Sequence, residues 1–190
     1  PVATVGSITG PVSSVAAGTA RISYTVTNSF GCTSSIFAVV TVNSLPAVAA
    51  ITGTPVVCTG ATTTLNNTTS GGTWSSNTAS VATVGSTGIV TGVATGTDLI
   101  TYTVTSGAGC TTFVTKQITV NPTPAAISGL TVICVGGTST LSDVSGGGAW
   151  SSNTTSVATV GFTSGIVTAV APGTTTISYI TSLGCSTTAA

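Results

Sequence analysis

The chain has no histidine, no methionine and only four charged side chains among its 190 residues: Arg21, Asp98, Lys116 and Asp143. Each shortage removes a class of function. A net charge of zero generates no field to draw in nucleic acid, acidic lipid or charged substrates. General acid–base catalysis needs positioned His, Asp, Glu, Lys or Tyr groups, and a Ser or Thr hydroxyl without a His or Lys beside it stays an ordinary hydroxyl. None of the four charged residues recurs in a neighbouring copy of the repeat described below. The position of Asp98, for example, is Ala20 and Thr175 elsewhere. A calcium site wants six to eight oxygens including several carboxylates, and two distant Asp residues do not supply one. The sequence therefore indicates a non-enzyme without cofactor or metal. An internal Lys–Asn crosslink through Lys116 would need a carboxylate beside it and has no counterpart in the other copies. The apolar residues come in short alternating runs, so no segment reads as a membrane span.

What is present is Thr, Ser, Gly and Asn around a 41% hydrophobic content, enough for a packed core. Ile22, Tyr24 and Val26 alternate with Ser23, Thr25 and Thr27, and Ile100, Tyr102, Val104 and Ile177, Tyr179 do the same. Period-two alternation with β-branched hydroxyl residues on the other face predicts half-buried strands, apolar side inward. Turn residues interrupt at Gly60, Ser70-Gly71-Gly72, Gly85, Gly88, Gly96 and Ser106-Gly107, and no helical period is visible.

The punctuation is itself periodic. Trp74-Ser75-Ser76-Asn77 and Ser80 to Gly85 return as Trp150-Ser151-Ser152-Asn153 and Ser156 to Gly161, while Cys58, Ile51 and Pro46 return as Cys134, Ile127 and Pro122, each 76 positions on. Val2 to Gly6, Ile22 to Thr27, Cys32 and Asn43 match the second half of the same unit. The expected organisation is a C-terminal part of a repeat over 1–43, a complete repeat over 46–121, and a repeat lacking its last strand over 122–190, as a window on a longer array. About seven short strands per repeat fit an all-β fold of tandem immunoglobulin-like β-sandwich modules.

These residues carry a resemblance. Gly72 to Asn77, Val81 to Val84, Gly88 to Thr97 and Ile100 to Tyr102 resemble the bacterial Ig-like domain family, group 2 (BIG2), whose members include intimin- and invasin-like stalk domains. The match repeats over Gly148 to Tyr179 and, without its Trp, over Val2 to Tyr24. The resemblance implies a surface-displayed or secreted adhesin array, extracellular or on the bacterial cell surface, with neighbouring modules as its first partners and no nucleic acid or membrane insertion. Val57-Cys58-Thr59-Gly60 and Gly109-Cys110, repeated around Cys134 and Cys185, depart from the plain pattern and look like disulfide-bearing variants in very large adhesins. Sequence alternatives are a carbohydrate-binding accessory module of a secreted enzyme and a phage tail or decoration protein. The first would want a repeated aromatic platform, yet Phe30, Phe37, Phe113 and Phe162 occupy non-equivalent positions. Trp74 and Trp150 sit where the third strand of a sandwich supplies a core ring.

The five cysteines lie 26, 52, 24 and 51 residues apart, spacing that suits neither zinc nor any other close metal cluster. Disulfides imply an oxidising compartment. Two pairings respect the repeat: within modules, Cys58–Cys110 and Cys134–Cys185 with the partner of Cys32 outside the window, or across junctions, Cys32–Cys58 and Cys110–Cys134. The within-module pairing is preferred, because a module this small buries little surface and gains most from closing a long loop.

Near-zero charge also removes the Lys and Glu that normally block edge-to-edge strand pairing. Self-association into filaments or bundles follows as an expectation. Light scattering should find oligomers at both low and high salt, whereas a strict monomer at high concentration would contradict it.

Overall fold

Thr-rich alternation builds strands throughout. The computed structural model describes residues 1–6 and 10–190, and among them there is no helix. The strands are β1 (Ala3–Val5), β2 (Val12–Ser14), β3 (Gly18–Thr27), β4 (Thr33–Val42), β5 (Thr52–Gly53), β6 (Val56–Cys58), β7 (Thr62–Asn66), β8 (Thr73–Ser76) and β9 (Ala82–Val84). They continue with β10 (Ile89–Gly92), β11 (Gly96–Thr105), β12 (Thr111–Asn121), β13 (Thr138–Thr140), β14 (Gly148–Ser152), β15 (Ala158–Val160), β16 (Ile166–Ala169), β17 (Ile177–Thr181) and β18 (Ser186–Ala189).

The 46–121 repeat forms two four-stranded sheets, ordered β5-β7-β10-β9 and β6-β12-β11-β8. The third repeat copies this order with three strands in each, β13-β16-β15 and β14-β17-β18. Most pairs are antiparallel. β6 runs parallel to the end of β12, with Cys58 opposite Asn121. The isolated bridge Ser128–Ser142 replaces, 76 residues on, the β5–β7 pairing of Thr52 with Asn66. The result is an all-β chain of immunoglobulin-like sandwiches.

The described residues form two compact units. One comprises Pro1–Ala50, Asn67–Thr73 and Tyr102–Val114, the other Ile51–Asn66, Trp74–Thr101 and Thr115–Ala190. Both draw on the 46–121 repeat, so these units do not coincide with the repeat boundaries.

In the second unit, alternation places Leu65, Ala82, Val90, Ile100 and Ile118 in fully buried positions. The third repeat centres on Leu141, Trp150, Ala158, Val167, Ile177 and Tyr179, with Ile127, Ile133 and Val160 packed against them. The rings of Trp150 and Tyr179 lie 4.7 Å apart, tilted by 50°. Gly165 has φ +66°, and a Cβ there would strike the Leu141 carbonyl and press on the Trp150 indole; Gly88, at φ +82°, stands in the same relation to Leu65 and Trp74. Only glycine reconciles that backbone with a ring lying beneath it. Gly148 is required for a different reason: its N–H donates to the Tyr179 hydroxyl at 2.8 Å, so close that a Cβ would enter the phenol ring.

The first unit departs from one expectation. Ile22, Tyr24 and Val26 were expected to face inward, but Ile22 is half-buried, and Tyr24 and Val26 are 67% and 51% exposed. Their counterparts Tyr102 and Val104 are buried. β3 and β4 pair along their whole length, from Gly18–Val42 to Thr27–Thr33. Hydrogen bonding alone does not bury a face. In the third repeat, a groove of about 290 Å³ is lined by Leu130, Val132, Ile133 and Ala189, among others.

Trp150 is only 6% exposed, whereas Trp74 is half-buried. The turn beside Trp150 is one residue longer, and its Phe162 carbonyl accepts from Trp150 N–H at 2.8 Å. Trp150→Ala should cost about 3–5 kcal/mol, as large aromatic deletions do, and Trp74→Ala distinctly less. Denaturant unfolding followed by the fluorescence of the remaining Trp checks this ordering, and equal losses would refute it.

Candidate functional site: the junction between consecutive repeats

The chemistry of this chain lies in its cysteines, and the structure pairs them differently from either sequence-based scheme. Cys58 is bonded to Cys185, 127 residues away, with Cα atoms 5.8 Å apart. Cys58–Cys110 and Cys134–Cys185 are therefore not formed, and neither is Cys32–Cys58. The reason is the length of β12. Cys110 directly precedes this strand, while Cys58 lies opposite its last residue, Asn121. Eleven residues at about 3.3 Å each hold those two positions about 35 Å apart, five times the reach of a disulfide. Cys134–Cys185 is not formed because Cys185 is already taken by Cys58. Cys32 and Cys134 are exposed thiols and Cys110 is a half-buried one.

Both halves of the bonded pair are built by local rules. Cys58 ends β6, and Gly60, at φ +80°, turns the chain so that Ala61 N–H donates back to the Cys58 carbonyl at 3.0 Å. Cys185 follows Gly184, at φ +82°, in a turn closed by Thr181 N–H to Cys185 O at 2.9 Å and Gly184 N–H to Thr181 O at 2.9 Å. Cys185 is wholly buried.

Beside the bond stands Asn121, 9% exposed. Its carbonyl accepts from Thr59 N–H at 2.9 Å and from Thr59 Oγ1 at 3.2 Å, and its Nδ2 donates to the Leu183 carbonyl at 3.0 Å. Thr123 Oγ1 donates to Thr59 O at 2.6 Å. The second repeat thus holds the turn of the third by one covalent bond and one buried amide. Sequence reasoning noticed Asn121 only as a repeat end. Its signal was the recurrence of Asn43, and nothing local revealed what the side chain would hold.

The remaining sequence candidates do not gather. Asp98, buried, accepts from Ser76 Oγ at 2.7 Å, Thr78 N–H at 2.8 Å and Leu99 N–H at 2.7 Å. Thr175 takes its place in the third repeat, accepting from Thr154 N–H at 3.0 Å. This carboxylate ties down a turn. Asp143 Oδ1 accepts from Ser145 N–H at 2.7 Å, Lys116 Nζ donates to Ile51 O at 3.4 Å, and the Arg21 guanidinium lies 3.5 Å from the Phe37 ring centroid. Among the described residues, no three His, Cys, Asp or Glu side chains are placed to hold a metal ion. Among the described residues, no helix is long and apolar enough to cross a membrane.

No protein-family model matches the chain, and no curated protein does. Among solved structures it is similar to a C-terminal 282-residue fragment of intimin in complex with the intimin-binding domain of the translocated intimin receptor, at 17% identity and TM-score 0.46. That likeness covers 76% of this chain and 63% of the fragment. It is also similar to domains 1–6 of the surface layer protein SbsC (18% identity, TM-score 0.32, 95% of this chain and 35% of that one). A third is the protocadherin GammaB4 extracellular domain (13%, 0.30, 98% and 40%). The chain thus spans less than two thirds of each, and no residue role described here rests on these likenesses.

Removing the bond should be costly, because it closes a loop of 127 residues. The chain-entropy relation gives about 5 kcal/mol for a loop of that size. Cys58→Ser and Cys185→Ser should lower the urea midpoint equally, and the double substitution no further. Identical midpoints for Cys58→Ser and the parent would show that the bond does not stabilise the chain.

Proposed function

We propose that the chain is a non-catalytic structural segment of a large extracellular or cell-surface adhesin, in which the repeats 1–43, 46–121 and 122–190 act as serial modules of a stalk. The observation that carries this reading is the Cys58–Cys185 bond, which joins one repeat to the next rather than reinforcing either alone. A clamp of that kind serves a chain that must keep its modules in register under tension. The disulfide belongs to an oxidising compartment, as a secreted or surface protein experiences. The Asn121–Leu183 hydrogen bond adds orientation to the covalent tie.

The Pro-bearing segments Ser44-Leu45-Pro46 and Pro122-Thr123-Pro124 favour the same role, since proline fixes φ and resists collapse. The near-absence of charge leaves module surfaces that associate without electrostatic penalty, so lateral bundling belongs to this proposal too.

Tension provides the test. When the oxidised chain is pulled from its ends, the 127-residue span between the bonded cysteines is bypassed, and total extension on unfolding should not exceed about 210 Å at about 3.4 Å per residue. Adding reductant should release about 430 Å more of contour by the same arithmetic. An oxidised chain that extends to its full length would overturn the clamp.

A further inference from the structure

Three Asn-x-Thr triplets stand in the sequence: Asn66-Asn67-Thr68, Asn67-Thr68-Thr69 and Asn153-Thr154-Thr155. Such a triplet is the acceptor motif for N-linked sugar and is used on surface loops. The proline in Asn121-Pro122-Thr123 bars a fourth. The fold treats the three differently. Asn67 is spent inside the protein: its Nδ2 donates to Ala49 O at 2.6 Å and its Oδ1 accepts from Thr69 N–H at 2.9 Å. The hydroxyl of that triplet, Thr69 Oγ1, is also engaged, accepting from Ala49 N–H at 2.9 Å. Asn66 is exposed but belongs to β7, where it pairs with Thr52 of β5, and its carbonyl accepts from Thr52 Oγ1 at 3.3 Å. A backbone held in a ladder cannot bend to fit an enzyme without breaking those bonds.

Asn153 lies in the connection from β14 to β15. Its N–H donates to Thr176 O at 2.9 Å, Thr154 N–H donates to Thr175 Oγ1 at 3.0 Å, and the Thr154 carbonyl accepts from Val157 and Ala158 N–H at 3.0 and 3.2 Å. Backbone bonds thus hold the turn, while Asn153 and Thr155 are both exposed. The second repeat builds the same turn, with Asn77 N–H donating to Leu99 O at 3.1 Å and Thr78 O accepting from Val81 and Ala82 N–H at 2.8 and 3.2 Å. Asn77 is exposed as well, but Ala79 stands where Thr155 does. We infer that Asn153 is an acceptor for a hexose transferred to the folded chain, and that Asn66, Asn67 and Asn77 are not.

The donor is a nucleoside-diphosphate hexose bound by a glycosyltransferase. Asn153 Nδ2 attacks the anomeric carbon, so a C–N bond forms as the anomeric C–O bond breaks. The nucleoside diphosphate leaves with the bonding electron pair, and the amide loses one proton to a base of the transferase. Nothing is oxidised or reduced, and this chain supplies only the acceptor and the turn that presents it. Transfer to an unfolded chain would leave all three triplets equally open, so the pattern of modified residues reports whether the fold selects the site. The inference does not depend on the chain bearing load.

To test it, the oxidised full-length chain is incubated with a soluble asparagine glucosyltransferase and UDP-glucose, then read by intact mass and by mapping of peptic glycopeptides. Synthetic peptides 62–72 and 149–159 serve as unfolded acceptors under the same conditions. Both peptides should be glycosylated, whereas the folded chain should gain a single hexose, at Asn153. Asn153→Gln and, separately, Thr155→Ala should each reduce incorporation at least tenfold, and Ala79→Thr should add a second hexose at Asn77. No incorporation into the folded chain while peptide 149–159 reacts, or sugar spread evenly over Asn66, Asn67 and Asn153, would overturn the inference. So would an unreactive peptide 62–72, which would make enzyme preference and not the fold the selector, a Thr155→Ala chain modified at the parental level, or an Ala79→Thr chain with no second hexose. None of these outcomes bears on the Cys58–Cys185 bond or on the pulling behaviour of the chain, so the two proposals fail separately.

Discussion

The final strand of the second repeat is long and unbroken, and much of this protein's covalent architecture follows from that. An eleven-residue β12 separates the turn cysteine at its start from the strand-edge cysteine at its end. An extended backbone cannot be shortened without losing the ladder that defines it. Cys58 and Cys110 are therefore held apart, and Cys58 instead bonds the turn of the following repeat. Asn121 shows how that reception is organised. It closes the strand, fixes Thr59 through its carbonyl, and spends its amide on the incoming Leu183 carbonyl, so one residue completes its own sheet and positions its neighbour.

Inside each repeat a second constraint operates, the fit of rings under glycines. Tyr179 reaches Gly148 N–H, Tyr102 reaches Gly72 N–H at 2.9 Å and donates to Thr69 O at 2.6 Å, and the indoles of Trp74 and Trp150 lie beneath Gly88 and Gly165. Large aromatic side chains fill space that Thr, Ser and Val cannot, and the phenol oxygens satisfy backbone donors or acceptors that burial would otherwise strand. With aromatic content at 5%, these few rings carry a large part of the packing.

The scarcity of charge shapes both levels. Asp98 is used as a buried hydrogen-bond acceptor rather than a surface ion, and in the third repeat the neutral Thr175 does similar work. A repeat that needs no charge to fold has a surface of hydroxyls, amides and exposed apolar side chains such as Phe113, Val132 and Phe162, which repels weakly. Such a surface leaves contacts between modules to shape, hydrogen bonds and disulfides.

Residue order alone indicated strands and an all-β sandwich, because these depend on local periodicity such as the alternation of Ile100-Thr101-Tyr102, and the Trp-Ser-Ser-Asn copies stand 76 residues apart in the sequence itself. It also located the cysteines in equivalent positions. The choice of partner belonged to the tertiary structure, since disulfide pairing depends on distance in space, and a spacing of 52 residues between Cys58 and Cys110 conceals that a straight strand lies between them. Burial was likewise decided in three dimensions. Tyr24 and Tyr102 share a motif, yet one is exposed and the other buried, because the residues that cover a face come from strands far away in the chain.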